Sequence, residues 1–333
     1  MLAYPVNELR LQARDRLWSK LDRKIYRLHS TACPVCGSEA GTIVSQTDMY
    51  GLPYEVAVCE CDLVYARRRL DGESSTAFYN DEYRPLDRGR EKPHTEYFEL
   101  QYAKCATMQS FLDEAGAALP PGGLVVEIGC GLGGTLAAFR DRGYRTIGFD
   151  PGREYVEWGA AEWRLDLRVG ALDTAACSDE WRTTAPDLVI YEQVLEHIAD
   201  PVAELTRLRS ILGPASLLFV GVPGIRNIDS HYDSDFRRYL QFPHLIHFDL
   251  ASLTRVAALA GLSLVHGNEL VQAAFRLPSG DVRAVPPQGM KADEPMLKYL
   301  GRLESRWRRK KRSEFLQRLP RRAWNRVTRL LST

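Results

Sequence analysis

Leu124–Gly134, LVVEIGCGLGG, followed by Gly148–Gly152, GFDPG, is the stretch from which the fold of this 333-residue chain is read. Leu124, Val125, Val126 and Ile128 form an apolar run, the pattern of a parallel strand covered by helices on both faces. The run ends in Gly129, Gly131, Gly133 and Gly134, which let the backbone turn sharply and approach a ligand. Thr135–Arg140 reads as the first turns of a helix whose N-terminus points at that ligand. A second strand, Arg145–Phe149, ends in Asp150, whose carboxylate can accept both hydroxyls of a ribose. The stretch therefore predicts a site for an adenosine-bearing cofactor.

Working outward, further strands are predicted at Asp166–Val169, Asp187–Tyr191 and Ser216–Gly221, alternating with helices as a parallel sheet requires. Leu262–Gly267 and a segment within Leu270–Arg283 complete seven strands. The predicted fold class is α/β, a doubly wound Rossmann-like sheet. The composition, 45% hydrophobic and 26% charged, is that of an ordinary globular protein. The most apolar stretch, Ile211–Val222, is too short to span a membrane and is broken by Gly213 and Pro214. The N-terminal residues carry charges and no signal-peptide core, so a cytoplasmic protein is expected.

The glycines also satisfy G-x-G-x-x-G through Gly129, Gly131 and Gly134, a pattern shared with dinucleotide-binding proteins. Glu127 argues against a dinucleotide, because a carboxylate just before the first glycine repels a pyrophosphate and suits a cationic sulfonium. From these residues the chain resembles the class I S-adenosylmethionine-dependent methyltransferases: VVEIGCGLGG is similar to their first motif and GFD to their second. The likeness continues through GALD (Gly170–Asp173), DLVIYEQVLEHIADP (Asp187–Pro201) and HLIHFDLASLTRVAALAGL (His244–Leu262). It implies S-adenosylmethionine as cofactor and an antiparallel last strand.

Ligands bind outside the carboxyl ends of such strands. There the backbone of Gly129, Gly131 and Gly133 would approach the methionine and ribose, Glu127 the amino or sulfonium end, and Asp150 the ribose diol. Ala171, Leu172 and Asp173 would border the adenine, with a helix cap as the other reading of Asp173. Gln193 would face the methyl-donor side. Glu196 and His197 follow the fourth strand, where related enzymes expose residues to the acceptor. They are the catalytic candidates, with His197 as the base that removes an acceptor proton. Packing at a helix start, or a hydrogen bond to the cofactor, is the other reading of His197. His231, His244 and His247 lie in the segment after the fifth strand that usually covers the acceptor pocket. One of them could orient the substrate, but each alone reads as a surface or capping residue. Tyr79 and Tyr83 could stack on a sugar or nucleotide ring, or simply pack. No acidic triad for a catalytic magnesium is seen.

Cys33-Pro-Val-Cys36 and Cys59-Glu-Cys61 have the look of a zinc site of two knuckles. The segment resembles the small zinc ribbon that precedes the methyltransferase domain in many sugar- and glycan-modifying methyltransferases. Their second pair reads C-x-x-C-G-L-V-[FY]; here Val58 stands at the third cysteine's place and Cys59 is one position late. A structural Zn²⁺ is expected, with a metal-free ribbon as the alternative. Cys105, Cys130 and Cys177 read as inert reduced thiols.

The net charge of +1 hides an asymmetry: residues 298–333 hold 13 Lys or Arg and two acids. Ser313–Leu331 interleaves apolar and Arg residues at near-helical spacing, suited to an anionic membrane surface at the inner face of the membrane. The predicted organisation is an amphipathic helix (1–30, with Leu17, Leu21, Ile25 and Leu28 in register), the ribbon-like module (31–70), an aromatic connector across the cofactor cleft (71–101), the methyltransferase domain (102–289) and a basic helical tail (290–333) broken at Pro320. The expected function is methyl transfer to a small molecule or glycan, such as a nucleotide-linked sugar or surface polysaccharide. A nucleic-acid methyltransferase is less favoured, because the body is acidic and Val222-Pro223-Gly224 replaces the motif of base-amino methyltransferases. A non-catalytic cofactor-binding scaffold is the remaining alternative. The oligomeric state is not legible.

Overall fold

The computed structural model describes residues 7–176, 184–278 and 294–317. The chain opens with α1 (Glu8–Asp22), then β1 (Leu28–Ser30), β2 (Gly41–Thr47), β3 (Pro53–Cys59), β4 (Val64–Ala66) and β5 (Arg68–Leu70). Helices α2 (Gly72–Asp81), α3 (Tyr83–Arg88) and α4 (Thr95–Glu114) lead into β6 (Leu124–Ile128), α5 (Gly134–Arg140), β7 (Arg145–Asp150), α6 (Arg153–Trp163), β8 (Leu167–Val169) and α7 (Leu172–Ala176). There follow β9 (Leu188–Glu192), α8 (Pro201–Leu208), β10 (Leu217–Gly221), α9 (Ile228–His231), α10 (Phe236–Tyr239), β11 (Ile246–His247), α11 (Leu250–Leu259), β12 (Ser263–Gly267), β13 (Gln272–Arg276) and α12 (Met296–Gln317).

Seven strands form one sheet in the order β12-β13-β10-β9-β6-β7-β8. Strands β8, β7, β6, β9 and β10 are mutually parallel, and β13 enters antiparallel to β10. The expected last-strand reversal is therefore present. Alternate residues serve opposite faces: Val126 and Ile128 join the core under α8 and α11, while Val125 joins the core under α4 and α5. Both layers exclude water, so every position of β6 is buried. Burying such a valine stabilises by about 1.5–3 kcal/mol, and a charge at Val126 would have no partner. Helix starts follow local chemistry. Asp200 accepts from the Ala203 N–H ahead of Pro201, and Asp249 and Ser252 form a capping box on α11.

The N-terminal strands make a second sheet, β11-β4-β3-β2. Its outer strand β11 comes from residues 246–247, so the segment after β10 is hydrogen-bonded into the sheet of the cysteine module. Asp48 reinforces the join: its carboxylate accepts from the N–H groups of Tyr50, Leu52 and Phe242. Helix α1 is shorter than its apolar spacing suggests. It ends at Asp22, Lys24 turns into the left-handed region, Ile25 is exposed and Leu28 belongs to β1. Among the described residues, no helix is long and apolar enough to cross a membrane. The break at Pro320 and most of the apolar positions of Ser313–Leu331 lie outside the described residues, as does Cys177.

Candidate active site

A cavity of about 400 Å³ opens at the carboxyl ends of β6, β7 and β9. Its walls include Glu127, Gly129, Asp150, Gln193 and His197 from the predicted set. Gly131, Gly133, Leu172, Asp173 and Glu196 are not on its surface. Leu172 is buried in the core, and the Asp173 Oδ1 accepts from the Thr174 N–H at the start of α7. Ala171 alone of the predicted adenine border lines the cavity. Gly131 instead contributes its N–H, which donates to Asp150 Oδ2 at 3.0 Å.

Asp150 is 4% exposed and crowded with donors. Besides Gly131, the Gly152 N–H donates to Oδ1 at 2.7 Å and the Arg84 guanidinium reaches the same oxygen at 3.2 Å. A carboxylate offers about four lone-pair positions, so a diol needs the place that Arg84 holds. Arg84 in turn lies over the Tyr155 ring, 4.3 Å from its centroid. The turn before Asp150 is equally constrained. Gly129 has φ 78°, and a Cβ there would run into the Val194 side chain, so only glycine fits. Gln193, not a glycine, is also held at φ 57° where β9 meets the cavity, a strain that clusters at functional sites.

Glu127 and Glu192 end adjacent strands β6 and β9 and face the same space. Burial, reinforced by the Glu192 charge, pushes the Glu127 carboxyl well above its ordinary range. Burial also raises Glu192, opposed by Lys104 at 3.2 Å. One Glu127 oxygen is buried without a hydrogen-bond partner among the described residues. An orphaned carboxylate oxygen is costly, and an ammonium or sulfonium group would relieve it. The residues present thus fit the cationic end of S-adenosylmethionine.

The opposite wall comes from α2, α3 and the turn Leu195–His197. Tyr79 and Tyr83 tilt against each other with centroids 4.8 Å apart, and both line the cavity. The His197 Nδ1 lies 3.0 Å from the Pro243 carbonyl and 3.2 Å from the Tyr79 hydroxyl. Burial lowers the His197 pKa to about 4, so its ring is neutral at neutral pH. Glu196 sits behind it, 1% exposed, and burial raises its carboxyl to about 8. His244 and His247, read from the sequence as surface or capping residues, are buried instead. The apolar neighbours Phe242, Leu245, Ile246 and Phe248 carry them inward as the segment joins β4. His231 is exposed, as expected.

Sequence reasoning missed Arg84, Arg88, Tyr97, Gln101, Lys104 and Glu192 on the cavity wall. Gln101 holds the glycine turn from outside, donating to the Cys130 carbonyl at 2.9 Å and accepting from the Leu132 N–H at 3.2 Å. A signal existed: Tyr97, Gln101 and Lys104 recur at i, i+4 and i+7, one polar stripe on an otherwise apolar helix face.

The four cysteines converge some way from this cavity. Cys33 and Cys61 sulfurs are 3.7 Å apart, Cys36 and Cys59 sulfurs 3.4 Å, and all four lie within 4.8 Å of one another. A Zn–S bond of about 2.3 Å implies sulfur–sulfur edges of about 3.8 Å, so the donor set fits a tetrahedral ion. The thiol of Cys33 stabilises a thiolate on Cys61, lowering it to about 5, whereas burial raises Cys59 to about 11. The late Cys59 is accommodated because Asp62 after Cys61 takes φ 69°, closing the second knuckle.

A doubly wound sheet with a glycine turn, acidic strand ends and an antiparallel last strand defines a nucleoside-cofactor-binding α/β protein. The methyltransferase-domain family matches residues 99–267, half of the chain, and the chain belongs to that family. It is 28% identical over 286 residues to the C-methyltransferase NovU of Streptomyces niveus, covering 77% of this chain and 62% of that protein's length. An uncharacterized 37.1 kDa protein in a Streptomyces fradiae transposon is 31% identical over 110 residues, 31% of each chain. Among solved structures, the magnesium protoporphyrin IX methyltransferase of Synechocystis superposes with TM-score 0.43 at 15% identity, covering 62% of this chain and 100% of that one. A methyltransferase of Archaeoglobus fulgidus gives TM-score 0.39 at 17% identity, covering 62% and 86%.

Proposed function

We propose that this protein transfers a methyl group from S-adenosylmethionine to a small-molecule acceptor. The observation that carries the reading is the unanswered carboxylate of Glu127 in the same cavity as Asp150 and the glycine turn. Bound there, the cofactor supplies an activated methyl on a sulfonium. Glu127 and Glu192 hold its cationic end, Asp150 takes the ribose hydroxyls once Arg84 moves aside, and Ala171 borders the adenine. Gln193 and Val194 separate this end from the acceptor end.

Tyr79, Tyr83 and His197 form the acceptor wall. Two tilted tyrosines suit the face of a sugar ring, and the acceptor is a hydroxyl or acidic carbon of a nucleotide-linked sugar or surface glycan. His197 is neutral at neutral pH and can take the acceptor's proton, with Glu196 behind it. Because methyl transfer is an in-line displacement, holding donor and acceptor in line does much of the work. The four cysteines hold a structural Zn²⁺, and the basic residues beyond α12 contact an anionic surface such as the inner membrane leaflet. The likeness to NovU, a C-methyltransferase, supports an acidic carbon as one acceptor. Calorimetry with S-adenosylhomocysteine and with NADH tests the cofactor. Binding of NADH alone would end this reading. Labelled S-adenosylmethionine with panels of nucleotide sugars, glycans and RNA then identifies the acceptor.

A further inference from the structure

Behind the acceptor wall, Glu196, His197 and His244 bring one carboxylate and two imidazoles together, their ligand atoms all within 4.8 Å of one another. Two of its members are buried, Glu196 at 1% and His244 at 6% exposure, while His197 borders the cavity. Neither Glu196 oxygen has a hydrogen-bond partner among the described residues. The His197 ring orientation sharpens this. A bare Nδ1 would set its lone pair against the Pro243 carbonyl oxygen at 3.0 Å, so Nδ1 carries the hydrogen and donates to that carbonyl. The lone pair is then on Nε2, which stands 3.8 Å from Glu196 Oε1. The His244 ring meets the His197 ring edge to face, centroids 4.9 Å apart.

The Glu196 oxygens thus stand unpaired beside the His197 Nε2 and the His244 ring, in a site where an unsatisfied carboxyl group is expensive. A backbone carbonyl fixing Nδ1–H is also the usual arrangement behind an imidazole that offers Nε2 to a metal. We propose that Glu196, His197 and His244 form a second metal site, distinct from the four cysteines, for one divalent transition-metal ion. Two imidazoles and one carboxylate suit Zn²⁺, Fe²⁺, Co²⁺ or Mn²⁺ better than Mg²⁺, whose preference is for oxygen ligands.

His197 lines the cavity, so the ion is reachable from the acceptor side. Three protein ligands would leave a position for water or for an acceptor oxygen. This part rests on the methyltransferase reading above and refines it: in the metal-loaded chain His197 would hold the ion, and the ion would orient the acceptor oxygen.

The test uses the full chain with its cysteine cluster first filled by one equivalent of Zn²⁺, then titrated with Co²⁺. Expected is one further ion per chain, with visible absorption but no thiolate-to-cobalt charge-transfer band. Glu196→Gln and His244→Asn should each weaken it by more than about 100-fold, beyond the usual effect of losing an outer-shell partner. Both should leave S-adenosylhomocysteine affinity within about two-fold. Anomalous scattering from wild-type crystals places the ion even if a variant fails to fold, and density away from these three side chains overturns the proposal. So does a wild-type chain that binds S-adenosylhomocysteine yet takes no second ion at about 1 mM Co²⁺. A second ion without S-adenosylhomocysteine binding would support the metal site and overturn the methyltransferase reading.

Discussion

At the cofactor end of the cavity the floor is two strand ends, Glu127–Gly129 and Asp150–Gly152, flanked by α4. At the acceptor end the wall is assembled from α2, α3 and the turn after β9, backed by the segment Gln241–His247, which is itself hung on the sheet of the cysteine module. The first end is held by the parallel ladder and by the Gly131 and Gly152 N–H groups on Asp150, with Gln101 and Arg84 bracing it from α4 and α3. The second is held by side-chain bonds across long sequence separations, such as Tyr54 to His247 at 3.0 Å. Locally built sites survive losses elsewhere in the molecule. Sites built from distant segments depend on every piece.

The largest effect that would break this contrast is removal of the Zn²⁺ proposed for the cysteine cluster. Structural zinc contributes on the order of 10 kcal/mol to the fold around it. Chelation should therefore unfold the β2–β4 sheet, release β11 and disorder the acceptor end, while S-adenosylhomocysteine still binds. Metal analysis after purification without added zinc should find at least one ion per chain. A stoichiometry near zero, or simultaneous loss of cofactor binding on chelation, would show that the two ends are not separable in this way.

Next in size is His197→Ala. Turnover on an identified acceptor should drop by about 10²–10⁴-fold, with S-adenosylhomocysteine affinity little changed in calorimetry. If affinity falls instead, His197 belongs to the cofactor end. Asp150→Ala is the converse probe. It removes the ribose acceptor and strips the Gly131 and Gly152 N–H groups of their partner. Charge-assisted bonds are worth about 1.5–3 kcal/mol each, so affinity for S-adenosylhomocysteine should weaken by more than about 100-fold. An affinity within ten-fold of wild type would contradict the assignment of Asp150 to the ribose.

The smallest expected effect is that of Tyr54→Phe. The Tyr54 hydroxyl donates to the His244 carbonyl and so accepts from His247 Nε2, bridging the cysteine module to the acceptor segment. Its loss should cost about 1–2 kcal/mol in urea unfolding and leave cofactor affinity untouched. A cofactor defect in this variant would mean that strain passes between the two ends of the cavity.

The difference between the ends also explains which parts could be read in advance. Strand β6 was legible residue for residue, since an apolar run followed by four closely spaced glycines has few other uses in a chain of ordinary composition. The ends of β7, β9 and β10 came within one residue of expectation for the same reason. Helix α1 was overextended because the spacing of Ile25 and Leu28 with Leu17 says nothing about the left-handed Lys24 that stops it. Arg84 went unseen because its partner Asp150 lies 66 residues away. His244 and His247 were placed near the acceptor pocket but read as surface or capping residues, because their burial depends on pairing with β4, whose sequence gives no hint of a partner so remote.

By itself, the sequence determined the sheet, its glycine turn, the acidic strand ends and the four cysteines. Each is specified by short-range patterns: the period of buried strands, left-handed turns and knuckle spacing. Only the tertiary structure decided that Arg84 sits on Asp150, that β11 completes the cysteine module's sheet, and that Glu196, His197 and His244 meet. Those contacts depend on how separate layers pack, and the burial that sets their protonation and their need for partners exists only once the layers have closed.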